Sequence, residues 1–79
     1  MAQAVVYTST NCVYCKQLKS YLTEQNVTFE ERNVDENEAY FQELEALGMM
    51  SLPVTVIGEY KILGMNTTRI QKALASIAQ

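Results

Sequence analysis

Val5-Val6-Tyr7-Thr8-Ser9-Thr10-Asn11-Cys12-Val13-Tyr14-Cys15-Lys16-Gln17-Leu18, residues 5–18, changes its hydrophobic period halfway along. Gln3 to Thr8 is a short β-branched and aromatic run, and the continuous apolar Ala4-Val5-Val6-Tyr7 suits a strand covered on both faces. From Val13 onward Tyr14, Leu18, Tyr21, Leu22 and Gln25 recur at helical spacing, with Leu18 and Leu22 as the core stripe and Asn26 as the stop. The two cysteines of the chain, Cys12 and Cys15, therefore fall together where a strand turns into a helix.

Outward from this junction the chain keeps alternating. Val27 to Asn33 sets Val27 and Phe29 against polar Thr28 and Glu30 and reads as a half-buried second strand. Asp35-Glu36-Asn37-Glu38 has the form of a capping box, Asp35 at the cap and Glu38 reaching back, opening a helix with Tyr40 or Phe41, Leu44 and Leu47 as its stripe and Gly48 as its left-handed stop. Pro53-Val54-Thr55-Val56-Ile57 and Tyr60-Lys61-Ile62-Leu63 flank Gly58-Glu59, a two-residue turn with Gly first that favours a type II′ hairpin. Asn66 or Thr67 then caps a last helix with Ile70, Ala73, Leu74 and Ile77 on one face. The order β-α-β-α-β-β-α predicts an α/β fold, a four-stranded mixed sheet flanked by three helices, as one domain over residues 1–79.

Placement gives the cysteines their chemistry. A thiol where the helix begins lies against unpaired backbone N–H groups at the positive end of the helix dipole, which favours thiolate over thiol. One turn on, Cys15 faces the same side, less exposed and near enough to close a small disulfide. Cys12 is thus the expected attacking sulfur and Cys15 the resolving one, a division that points to thiol–disulfide exchange. Other readings weigh less. A closed zinc site needs four ligands, and the chain offers no His and no third Cys, so no metal is expected. A structural disulfide over so short a loop removes little chain entropy, and two inert buried cysteines by chance do not explain their position. Lys16 and Lys19 read as a solvated helix face. Tyr14 screens the sulfurs, contacts a partner or, equally often for an aromatic at that spacing, lies at the edge of the core.

Composition narrows the rest. A net charge of −3 with six Lys and Arg argues against nucleic acid, and the absence of His removes Cys–His catalysis. No stretch approaches the length of a membrane span. Met1 to Val6 lacks the basic and apolar regions of a secretory signal, so a cytoplasmic location is expected. No extra apolar stripe asks for a partner, and a monomer is expected.

Together, Val5-Val6-Tyr7-Thr8, Cys12-Val13-Tyr14-Cys15, Asn33-Val34-Asp35, Leu52-Pro53-Val54 and Gly64 make the chain resemble the glutaredoxins of the thioredoxin superfamily over essentially its full length. The resemblance implies a thioredoxin-like fold and a dithiol oxidoreductase that reduces protein or glutathione mixed disulfides, carrying electrons in cell redox homeostasis with no tightly bound cofactor. Read alone, Pro53 is a trans proline opening a strand. The resemblance instead implies a cis peptide facing the cysteines, with Leu52 pairing its backbone to an extended substrate and Pro53 fixing the direction of those bonds, a form of strand addition. It also assigns Val13, Tyr14, Gly64, Met65, Asn66 and Thr67 to the substrate surface.

Glutathione-using relatives carry a Lys before the motif and Gly-Gly before the last helix. Thr8-Ser9-Thr10-Asn11 has no Lys, and Leu63-Gly64-Met65 has one Gly. A carboxylate still has the last helix's N-terminus near Asn66 and Thr67 open to it, which keeps glutathione as a candidate co-substrate. Val13, the single Gly64 and Asn66-Thr67-Thr68-Arg69-Ile70 look nearer to NrdH-type redoxins, which implies thioredoxin reductase as donor and ribonucleotide reductase as target. An iron–sulfur-binding glutaredoxin is the remaining alternative.

Overall fold

The computed structural model describes residues 3–49 and 51–77. Its elements run β1 (Ala4–Thr8), α1 (Val13–Glu24), β2 (Phe29–Asn33), α2 (Glu38–Ala46), β3 (Val54–Ile57), β4 (Tyr60–Leu63) and α3 (Thr67–Ile77). This is the order read from the sequence. The strands lie β2-β1-β3-β4, with β1 parallel to β2 and antiparallel to β3, and β4 closing the hairpin. That arrangement is the thioredoxin-like glutaredoxin fold.

Alternation along β1 divides the interior in two. Ala4 and Val6 point to one face, where Leu18 and Leu22 of α1, Val27, Ile57, Ile62 and Ile70 and Ala73 of α3 pack on them. Tyr7 points to the other, against Leu44 of α2 and Val54, with Val5, Val34, Leu47, Leu52 and Val56 beside them. A central strand buried on both faces is what its unbroken apolar run requires. Leu74 packs on the first core as expected, and the side chain of Ile77 lies outside those described.

Local chemistry explains the element ends. Asn26 takes a left-handed φ of 58° after α1, a conformation Asn tolerates, and Val27 N–H bonds to Leu22 O at 2.9 Å. Gly48, φ 78°, ends α2 as its position predicts. Gly58 has φ 59° while Ile57 pairs with Tyr60, and no described non-glycine residue but Asn26 has positive φ, which is the type II′ pattern.

The second helix starts later than the sequence suggests. Its cap is Asn37, whose side chain accepts from Ala39 N–H at 2.9 Å, not Asp35. The Asp35 carboxylate is engaged elsewhere, accepting Thr10 N–H at 2.9 Å across to the loop before the cysteines. The second strand is also shorter, beginning at Phe29. Val27, buried before it, belongs to the turn out of α1. No described helix is long and apolar enough to cross a membrane.

Candidate active site

β1 ends at Thr8, and the loop of Ser9, Thr10 and Asn11 delivers Cys12 to the start of α1. Cys12 is the helix cap, in extended backbone, and its Sγ accepts Cys15 N–H at 3.0 Å. Sulfur so occupies the place that a Ser or Asp oxygen takes at other helix starts. Its carbonyl accepts Lys16 N–H at 3.3 Å, the first bond of the helix.

Cys12 and Cys15 are joined as a disulfide with their Cα atoms 5.1 Å apart. The two sulfurs are not equivalent. Cys15 is 1% exposed, on the inward stripe with Leu18 and Leu22, whereas Cys12 is half-buried. Between them Val13 and Tyr14 are 67% and 63% exposed, a pair of apolar side chains turned to solvent beside the disulfide. Tyr14 is therefore no core residue.

The second half of the site comes from the start of β3. The Leu52–Pro53 peptide is cis. Continuing the register in which Tyr7 opposes Val54 sets Pro53 beside Thr8, four residues before Cys12. Pro53 is buried, and its carbonyl accepts Gly64 N–H at 2.8 Å, tying the β3 entry to the β4 exit. Leu52 is half-buried on the α2 side and Met65 half-buried against the α1–α3 core. Asn66 caps α3, its side chain accepting Arg69 N–H at 3.1 Å, and Thr67 is the first residue of that helix.

Three polar contacts around the site are absent from the sequence reading. Lys19 is not simply solvated. It binds Glu31 at 2.9 Å, and the buried Thr8 hydroxyl donates to the same carboxylate at 2.8 Å. Lys19 first, and Thr8 with it, holds the Glu31 carboxyl below the usual range against partial burial. On the opposite face Tyr7 donates to Glu43 at 2.8 Å, and Arg32 reaches both, at 2.6 Å to Glu43 and 3.2 Å to the Tyr7 oxygen. Burial, then Glu43, raises the Tyr7 hydroxyl, and Tyr7, then Arg32, lowers the Glu43 carboxyl. The third contact is Asp35 with Thr10. Each joins residues far apart in sequence through the β1–β2 pairing, so no local pattern announces it. Among the described residues no group of three or more His, Cys, Asp or Glu is arranged to hold a metal ion.

A CxxC disulfide capping the first helix, beside a cis-proline strand entry on a β-α-β-α-β-β-α sheet, defines a thioredoxin-fold thiol–disulfide oxidoreductase. Comparison with known proteins agrees. The glutaredoxin family model matches residues 4–62, and the chain belongs to that family. It is 28% identical over 67 residues to a glutaredoxin-like protein NrdH of Lactococcus lactis, covering 85% of this chain and 93% of that one. It is 31% identical over 70 residues to an uncharacterized glutaredoxin-like 8.6 kDa protein in the rubredoxin operon of Clostridium pasteurianum, covering 87% and 93%. Among solved structures, the NrdH-redoxin of Escherichia coli superposes with a TM-score of 0.81 at 29% identity, covering 87% and 91%.

Proposed function

We propose that this chain is an NrdH-type dithiol reductase of protein disulfides, reduced by a flavoprotein thioredoxin reductase, with ribonucleotide reductase as a candidate target. The supporting observation is the character of the rim. Residues 8–11 before the disulfide and 63–68 after it carry no Lys or Arg to take a carboxylate, whereas Val13 and Tyr14 offer apolar surface. Such a rim suits a protein surface better than a charged tripeptide. The E. coli NrdH-redoxin is described as having a thioredoxin-like activity profile, and the same profile is proposed for this chain.

In this reading the Cys12 thiolate attacks a target disulfide. One target sulfur leaves as a thiolate and the other stays bonded to Cys12. Cys15 then attacks Cys12 Sγ, re-forming the intramolecular disulfide and expelling the second target thiolate, so two electrons pass to the target. Leu52 offers its backbone to an extended segment at the disulfide, with Pro53 setting its direction and Gly64, Met65, Asn66 and Thr67 completing the wall. No tightly bound cofactor takes part. The cycle belongs in a reducing compartment, the cytoplasm, and needs one chain.

Turnover of a disulfide substrate with thioredoxin reductase against turnover with glutathione and its reductase tests the donor. The first should support turnover and the second little. The reverse result would reassign the chain to glutathione. Cys12→Ser should abolish reduction, whereas Cys15→Ser should accumulate a mixed disulfide; equal partial losses would contradict the roles.

A further inference from the structure

Thr55 carries a polar group that the reaction above does not use. The residue is fully buried, and its Oγ1 has no hydrogen-bond partner among the described residues. A buried hydroxyl in that state has lost its hydration without replacement, a cost that a valine of the same shape avoids.

Its place in the sheet narrows what it is for. Register sets Glu31, Val6, Thr55 and Ile62 in one row, on the face that α1 and α3 cover. Lys19 of α1 is bound to Glu31 in that row, and Leu18 enters the same core. As the crossover between parallel strands, α1 runs back against β1, so one turn toward its N-terminus brings Cys15 over the next row, that of Thr8 and Pro53. Cys15 points inward on the stripe of Leu18 and Leu22. Thr8, the other buried threonine of this face, already donates to Glu31. Thr55 is left with an uncommitted proton in the row next to the one beneath the buried sulfur.

In the disulfide, Cys15 Sγ is held toward Cys12. When that bond opens the two sulfurs move apart to non-bonded separation. We propose that Thr55 is a positioning residue for the resolving half of the reaction: its O–H donates to the Cys15 sulfur, directly or across one water, in the dithiol and mixed-disulfide states. The inference rests on the reading of Cys15 as the resolving thiol. In that step the Cys15 thiol gives its proton to water, the resulting thiolate bonds to Cys12 Sγ, the bond from Cys12 to the target sulfur breaks, and the target thiolate takes a proton back from water. Thr55 keeps its own proton throughout.

The test uses the full chain with Thr55→Val, which keeps shape and removes the donor, and Thr55→Ser, which keeps the donor. The equilibrium of the Cys12–Cys15 pair is measured in a glutathione redox buffer, with urea unfolding of the oxidised and reduced forms. Thr55→Val should disfavour the dithiol by about three- to tenfold, a potential lower by about 14–30 mV for a two-electron couple. It should stabilise the oxidised form and not the reduced one, whereas Thr55→Ser should keep the wild-type equilibrium even if less stable. An equilibrium unmoved by Thr55→Val, with both forms stabilised alike, would overturn the proposal, as would equal shifts for the two variants. If Thr55→Val does not fold, the wild-type Thr55 resonances decide: they should move on reduction more than those of Ile62 beside it, and equal movement would refute the role. A wild-type pair that neither thioredoxin reductase nor glutathione reduces would instead sink the assigned function.

Discussion

Reducing the disulfide is a perturbation whose stability effect has two opposed parts. Cys12 and Cys15 are three residues apart and close a loop of four. In the chain-entropy treatment such a loop stabilises the oxidised protein by about 1.9 kcal/mol at 25 °C, which for a domain of this size is about 8–15 °C in Tm. Against this, the reduced protein regains interactions that the disulfide forgoes. A Cys12 thiolate at the cap keeps the Cys15 N–H, seen at 3.0 Å, as a charge-assisted bond and faces the positive helix end. The helix end alone adds about 0.3–1 kcal/mol, and a hydrogen bond to a charged group about 1.5–3. The sign with pH follows. A thiol whose folded pKa is depressed contributes stability that is complete above the unfolded value, about 8.5, and lost as pH falls through the folded value. The oxidised form should therefore lead by about 1.9 kcal/mol in acid, and its lead should shrink or reverse as pH rises toward 8.5. Urea unfolding of both forms across this range measures the gap directly. A lead that stays constant with pH would refute the claim that the helix holds Cys12 as a thiolate.

Three further outcomes follow from the polar contacts. Glu31 and Glu43 are held below the usual carboxylate range, so both contribute stability above about pH 4.3 that is lost as pH falls through their folded values. Lys19→Met should move that acid loss to higher pH by removing the main cause at Glu31, with a stability change of at most about 1 kcal/mol for so exposed a pair, gone in high salt. Burial and Glu43 raise the Tyr7 hydroxyl, so its contribution is complete below about pH 10 and lost above its folded value. Tyr7→Phe should lack that alkaline loss in a pH series of unfolding midpoints. Asp35→Ala should speed amide exchange at Thr10 and spare the amide of Cys15, since only the former bonds to the carboxylate.

The placement of the cysteines was legible because residue type and hydrophobic period are both local signals, and they coincide at Cys12. Gly48 and Gly58-Glu59 were legible for the same reason, since backbone conformation selects residues at each turn. The capping box was not. Asp35 and Glu38 have the right spacing, but Asp35 finds a better donor in Thr10, which is near only after β1 and β2 pair. Lys19 looked solvated because its partner Glu31 sits on a different element. Pro53 lies between these cases. Its residue type alone favoured a trans strand opening, and the cis peptide followed from family resemblance, not from any local pattern.

In the proposed cycle, burial and the helix cap assign the same order to the two thiols. The cap position and the Cys15 N–H favour an anionic sulfur at Cys12, and burial reinforces that bias. Cys15 faces the packed core with 1% exposure, where an incoming target disulfide cannot reach it, whereas Cys12 at the cap is open to the surface beside Val13 and Tyr14. The sulfur that Cys15 can reach is Cys12, one helical turn away, with the Cα atoms already 5.1 Å apart. A target held on Cys12 thus meets an attacking group at high effective concentration.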